Sequence, residues 1–158
     1  MTHSRRILLV TLTLLSIQVT ALAGPSSAVG LWKTIDDVTG KPKAVIQITE
    51  TPTHQLQGTI VKIFPRPGVD ENEVCAACKG SLHNQRIVGM KVLHDLVADH
   101  DISGRWKGGE ILDPHNGKSY HCTLGLSQDS RELNVRGYIG MPLFGRTQTW
   151  QRIDKMNG

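Results

Sequence analysis

The chain is predicted to be all-β, an antiparallel barrel of about eight strands whose first and last strands pair. Three observations predict it. The first is a pair of terminal motifs, Gly30-Leu31-Trp32 near the start and Arg136-Gly-Tyr-Ile-Gly140 running on to Thr149-Trp150-Gln151-Arg152 at the end. Pairing the first strand with the last removes both sheet edges. The second is the run of short strand-like segments between these motifs, separated by turn signals. The third is the content of 16 glycines, which suits corners and bulges where a sheet bends sharply. No repeat, low-complexity tract or interdomain linker interrupts the pattern.

The N-terminus reads as a targeting helix that is removed. Arg5-Arg6 form a basic start, Ile7 to Val19 is mostly apolar, and Ala21-Leu22-Ala23 is a small-residue cleavage signal before Gly24. Residues 1–23 are therefore expected to be a signal peptide, and 24–158 a single barrel domain exported to the periplasm or secreted. Ser4 to Leu9 partly resembles a twin-arginine signal but lacks its aromatic and lysine, so ordinary secretory export is the reading adopted. The apolar run is short for a membrane span, and no later run approaches it, so no integral membrane segment is expected in the mature part. Removing Arg5 and Arg6 lowers the formal charge from +4 to +2. Lys and Arg are dispersed, which argues against nucleic-acid binding.

Along the mature chain, Gly30 to Asp36 is a first strand, ended by Asp37-Val38-Thr39-Gly40-Lys41-Pro42. Ala44 to Thr49 carries apolar residues on both alternating sets, which leaves its facing open. Leu56 to Phe64 is a longer β-branched run, joined to the previous one through His54-Gln55. Pro65-Arg66-Pro67-Gly68 breaks the sheet, and Val69 to Asn84 is an excursion carrying Cys75 and Cys78. Ile87 to Val97 fits neither a two-residue nor a helical period, and a strand followed by a short helix is expected. The helical content should lie between about 70 and 100. Trp106 to Leu112 and Ser119 to Leu126 flank a turn through Asn116-Gly117. The second of these strands sets Tyr120, Cys122, Leu124 and Leu126 on one face. Leu133, Val135, Gly137 and Ile139 alternate with Asn134, Arg136 and Tyr138, and Gly145 to Arg152 closes the barrel.

Several residues invite a chemical reading. Cys75-Ala76-Ala77-Cys78 is read as a structural disulfide, because such bonds persist outside the cytoplasm. Three acids just upstream would raise a thiol pKa, the reverse of what a redox dithiol needs. A redox function or half of a metal site remain as alternatives. Cys122 is read as a buried free thiol, against a competing bond to Cys75 or Cys78. His94-Asp95 and Asp99-His100-Asp101 form the densest cluster of histidines and acids, set in what reads as a solvated turn. Metal ligands, cofactors and catalytic residues are all expected to be absent. No nucleophile elbow, zinc-protease helix, phosphate loop or dinucleotide glycine pattern occurs, and the chain is not expected to be an enzyme.

The blocks Gly30-Leu31-Trp32-Lys33-Thr34, Cys75-x-x-Cys78-x-Gly80, Ile111-Leu-Asp-Pro114 with Asn116-Gly117-Lys118-x-Tyr120-x-Cys122, Arg136-Gly-Tyr-Ile-Gly140 and Gly145-Arg-Thr-Gln-Thr-Trp150 occur in order. In them the whole mature chain resembles a bacterial family of small exported proteins described as a domain of unknown function, lipocalin-like (calycin) in fold. The resemblance implies a barrel closed by Trp32, plugging the floor, and Arg152, stacked on the indole as a structural seal, and it brings no established activity. The expectation for function is a barrel that binds a small apolar or amphipathic molecule, with Arg136 and Tyr138 touching a polar or anionic end if their strand face points inward. The alternatives are a ligand-free structural or interaction protein of the cell envelope and, third, a thiol redox or metal-binding protein.

Overall fold

The computed structural model describes residues 27–156 apart from 69 and 71. The expected signal peptide and its cleavage site lie outside the described residues. Eight strands follow one another: β1 (Gly30–Ile35), β2 (Pro42–Glu50), β3 (Leu56–Ile63), β4 (Lys91–Ala98), β5 (Arg105–Asp113), β6 (Lys118–Leu126), β7 (Glu132–Tyr138) and β8 (Arg146–Ile153). Each pairs antiparallel with the next, and β1 pairs with β8 through Leu31–Ile153, Trp32–Arg152 and Lys33–Gln151. The sheet closes into an eight-stranded barrel with no free edge, as the end motifs predict.

Alternation sorts the side chains. Trp32 and Thr34 of β1, Ala44, Ile46 and Ile48 of β2, Cys122 and Leu124 of β6, and Leu133 and Val135 of β7 are buried. All of these except Thr34 belong to one continuous core cluster. The ambiguous facing of β2 is thereby settled: Ala44, Ile46 and Ile48 form the core set, while Val45 is buried outside that cluster.

The segment from Ile87 to Val97 departs from expectation. It contains no helix; Lys91–Ala98 is one strand throughout. Between the pairs Leu56–Leu96 and Gly58–Leu93, β4 spends three steps where β3 spends two. Asp95, at φ 57°, lies within that bulge. Asp tolerates the left-handed region better than most residues. The bulge lets both Leu93 and Leu96 be buried. Their three-residue spacing therefore imitates a helical period within a strand. Gly108, at φ 78°, marks the matching irregularity in β5, between the pairs Trp106–Leu124 and Gly109–Cys122.

The excursion between β3 and β4 is equally poor in helix, with a single 3-10 turn, Gly80–Leu82, among its described residues. Its backbone folds on itself instead. Cys75 N–H donates to Gln85 O at 2.9 Å, Asn84 N–H to Cys75 O at 2.9 Å, and Ile87 N–H to Glu73 O at 2.9 Å. This small hairpin packs on the β5–β6 turn. A Cβ at Gly117 would lie 2.0 Å from the Ala77 carbonyl oxygen, and the backbone there has φ 67°. Both facts require glycine at this position.

Candidate functional site

The two ends of the barrel are built differently. At the closed end Trp32 is fully buried, its Nε1–H donating to Ala28 O at 2.8 Å. The Arg152 guanidinium lies 4.3 Å from the centre of the indole. Its nitrogens donate to three backbone carbonyls: Nε to Ser130 at 2.6 Å, Nη1 to Val29 at 2.9 Å and Nη2 to Ser27 at 2.7 Å. One side chain thus joins the β6–β7 connection, the segment leading into β1, and the plug. A Cβ at Gly30 would sit 2.7 Å from Arg152 Nη1, and φ there is 141°, so Gly30 makes room for the seal. Trp32 and Arg152 occupy the closing positions assigned to them by the sequence.

The other half of the barrel is hollow. A cavity of about 320 Å³ runs inward from the end that carries the β1–β2, β3–β4, β5–β6 and β7–β8 connections. Its deep wall is apolar: Ala44, Ile46, Ile60, Val92, Val135 and the buried ring of Trp150. Its mouth is polar, lined by Lys43, Arg66, Glu73, Asp113, His115 and Arg146. Along β8, Arg146, Gln148 and Trp150 line the space from the mouth toward the interior, and Arg152 lies beyond it in the seal.

The mouth is held together by contacts between distant segments. Arg66 Nη2 donates to His115 Nε2 at 3.2 Å. Arginine has no acceptor, so this bond places the imidazole proton on Nδ1. That nitrogen faces Glu73 Oε1 at 3.8 Å. Burial, and then the charge of Lys43, push the His115 pKa below its ordinary value, which favours the neutral ring. Two polar atoms here are buried without a hydrogen-bond partner among the described residues, the donor Arg66 Nη1 and the acceptor Glu73 Oε2. Such groups call for a partner, because desolvating them unpaired is costly. Arg146 is paired with Asp37 of the β1–β2 connection, which also accepts from Gln148 Nε2 at 2.9 Å.

Arg136 and Tyr138 are not part of this cavity. Leu133, Val135 and Gly137 occupy the inner face of β7, so the period of two turns Arg136 and Tyr138 outward. The physical reason is desolvation: apolar and small residues fill the interior, and the guanidinium stays where its charge remains hydrated. Arg136 bonds to the Pro142 and Leu143 carbonyls and to Thr147 Oγ1. The Tyr138 ring lies 5.5 Å from that of His121. The residues that do line the mouth, Lys43, Arg66, Glu73 and His115, were not singled out from the sequence. They come from separate strands and turns, and no local motif marks them.

Cys75 and Cys78 are joined in a disulfide with Cα atoms 5.4 Å apart. The Cys75 sulfur touches the Pro114 carbonyl oxygen at 3.0 Å. The excursion is therefore docked by packing against the β5–β6 turn, not by a bond to Cys122. Cys122 is free and buried, and burial pushes its thiol pKa up to about 12. In the histidine and acid cluster, Asp99 is bound by Lys107 at 2.8 Å, and its carboxyl is held below the usual range by that hydrogen bond. His94 Nε2 is directed at the Lys91 carbonyl at 3.2 Å. Among the described residues no group of three His, Cys, Asp or Glu is placed to hold a metal ion, and no helix is long and apolar enough to cross a membrane.

Comparison with known proteins agrees with this architecture. The structure is similar to that of protein HP1028 from the human pathogen Helicobacter pylori, which belongs to the lipocalin family. The TM-score is 0.68 at 18% identity, over 81% of this chain and 84% of that one. Comparison with curated proteins finds no match. The family described as "Uncharacterized protein conserved in bacteria (DUF2147)" matches residues 30–152, the span from the first glycine of β1 to the sealing arginine of β8. With both halves of its closure and nearly the whole barrel inside that match, the chain belongs to the DUF2147 family of bacterial proteins, built on a lipocalin-like barrel.

Proposed function

We propose that the protein is an exported binding protein, not an enzyme, and that it holds a small amphipathic molecule in the open half of its barrel. The observation that carries this reading is the cavity, apolar in its depth and polar at its mouth. Ligand pockets have this form, with volumes from about 300 Å³ upward and a few convergent polar groups. Water occupies about 30 Å³ of liquid volume, so the space suits a molecule of roughly ten non-hydrogen atoms. An alkyl portion lies against Ile46, Ile60 and Val135. A polar end reaches Lys43 and the two buried atoms that lack a partner among the described residues, Arg66 Nη1 and Glu73 Oε2. Together these offer a donor and an acceptor, which suits an end group that does both. The disulfide supports residence in an oxidising compartment, periplasmic or extracellular.

Octanoate and octanol match the cavity in size and differ in their polar end. Titration calorimetry with each, and native mass spectrometry of protein purified from its own cells, test the proposal. Saturable binding that is lost in Gly137→Leu supports it. The Gly137 position faces Ile111 and Tyr120 across the cavity wall, so a longer side chain there blocks the space. Absence of heat with both probes, together with absence of a co-purified small molecule, overturns it.

A further inference from the structure

Among the described residues, the large apolar side chains that are more than 60% exposed are Val38, Ile139, Met141, Leu143 and Phe144, at 61–91%. All five lie in two connections, β1–β2 and β7–β8. These are neighbours, because β1 pairs with β8 and Asp37 is bonded to Arg146 and Gln148. Both connections border the cavity mouth, and none of the five side chains lines the cavity itself. An exposed apolar patch of this concentration marks a contact surface.

The larger connection is held in place. Arg136 donates Nε to the Pro142 carbonyl at 2.8 Å, Nη2 to the Leu143 carbonyl at 3.1 Å, and Nη1 to Thr147 Oγ1 at 2.8 Å. A Cβ at Gly145 would lie 2.7 Å from the Gly137 carbonyl oxygen, so the loop returns tightly against β7. The two carbonyls are satisfied by Arg136 while the side chains of Leu143 and Phe144 remain in solvent.

We infer that this tip docks the barrel on a lipid bilayer, inserting Leu143, Phe144 and their neighbours at the headgroup boundary and setting the cavity mouth against the membrane. Three features favour lipid over a protein partner. The closed barrel offers no strand edge for a partner to extend. The segments 36–43 and 136–146 carry Lys41, Lys43, Arg136 and Arg146 against Asp36 and Asp37, an excess of two cations that suits an anionic surface. The apolar rim is also continuous with the mouth of an apolar cavity, so a poorly soluble molecule could pass between bilayer and barrel without crossing water. Docking is measured with the empty protein, so it stands or falls separately from the ligand reading.

The test uses the chain from Gly24 onward, which contains all eight strands, with vesicles of phosphatidylcholine and phosphatidylglycerol in a two-to-one ratio. The protein should sediment with the vesicles. Leu143→Asp with Phe144→Asp should lower partitioning at least about tenfold, the scale of losing two large apolar side chains from an interface. Ile102→Asp, in the β4–β5 connection at the opposite end, should leave partitioning unchanged. In Phe144→Trp the new fluorescence should shift to the blue and be quenched by brominated lipid; in Ile102→Trp it should do neither. An unchanged unfolding midpoint in the double variant confirms that the barrel is intact. Equal partitioning of wild type and double variant, or absence of quenching, overturns the inference. A wild-type dimer that the double variant converts to monomer, without vesicle binding, assigns the patch to a second copy instead.

Discussion

The closed and open halves of this barrel share the same eight strands and differ in what those strands point inward. Trp32 near the floor is followed by Thr34 near the mouth; Ile48 is matched by Ala44, Leu133 by Gly137, and Trp150 by Gln148. On four strands a large side chain toward the floor gives way to a smaller or polar one toward the mouth. The floor is filled and sealed, and the mouth is left with about 320 Å³ of space. A packed floor and a hollow mouth are thus separated along the barrel axis, against the general rule that small barrels are either filled by side chains or hold one small ligand. Here the choice changes halfway down.

This contrast breaks most sharply at the plug. Trp32→Ala should cost about 3–5 kcal/mol in denaturant unfolding, as for other buried aromatic truncations, and a loss below about 1 kcal/mol would show that the floor is not where stability resides. Arg152→Lys should cost about 2 kcal/mol, because an ammonium keeps one charge but cannot reach three carbonyls in a planar fork. Unfolding of Arg152→Lys measured beside Trp32→Ala and the variant that carries both substitutions should show the two acting as one unit, with less than additive losses.

Substitutions in the open half should do the reverse. Gly137→Leu should change stability by less than about 1 kcal/mol and abolish octanoate and octanol binding; a variant that binds normally would show that the cavity is not the site. Thiol labelling separates the halves in another way. One reactive cysteine, Cys122, should appear, and only after unfolding, since it is buried and its pKa is pushed up to about 12. Labelling of Cys75 or Cys78 in the native protein would contradict the disulfide.

The smallest effect concerns pH at the mouth. His115 is held below its ordinary pKa of 6.5, first by burial and then by Lys43. Below 6.5 the unfolded chain therefore takes up the proton before the folded one does. Its contribution to stability is present above 6.5 and is lost as pH falls through the folded value. Between about pH 7.5 and about pH 5.5, wild type should lose more stability than His115→Gln. Equal losses would mean that the ring is as free to charge in the fold as outside it.

Much of the fold was legible because strand alternation and turn chemistry are local properties. Gly30-Leu31-Trp32 and Thr149-Trp150-Gln151-Arg152 announce closure, and the Asn116-Gly117 turn and the Tyr120 to Leu126 alternation place the last hairpins. Ile87 to Val97 was misread because a bulge at Asp95 shifts the pattern by one residue, and a one-residue shift in a strand imitates another period. Arg136 and Tyr138 are ligand contacts only if the polar face they share with Asn134 points inward, and it points outward. Alternation shows that two faces exist; it does not show which of them is inside.

What the chain determined by itself was most of its short strands and the pairing of its ends, since these follow from near-neighbour patterns and the need to leave no sheet edge unpaired; the residues of its seal followed from the resemblance to lipocalin-like barrels. The tertiary structure alone decided the site. Arg66, Glu73 and His115 meet only because the excursion after β3 folds back on itself and docks on the β5–β6 turn at Gly117. The cavity exists only because several small inward residues from different strands fall at the same height. Neither condition is visible in any one segment, because both are sums over positions that the closed sheet brings together.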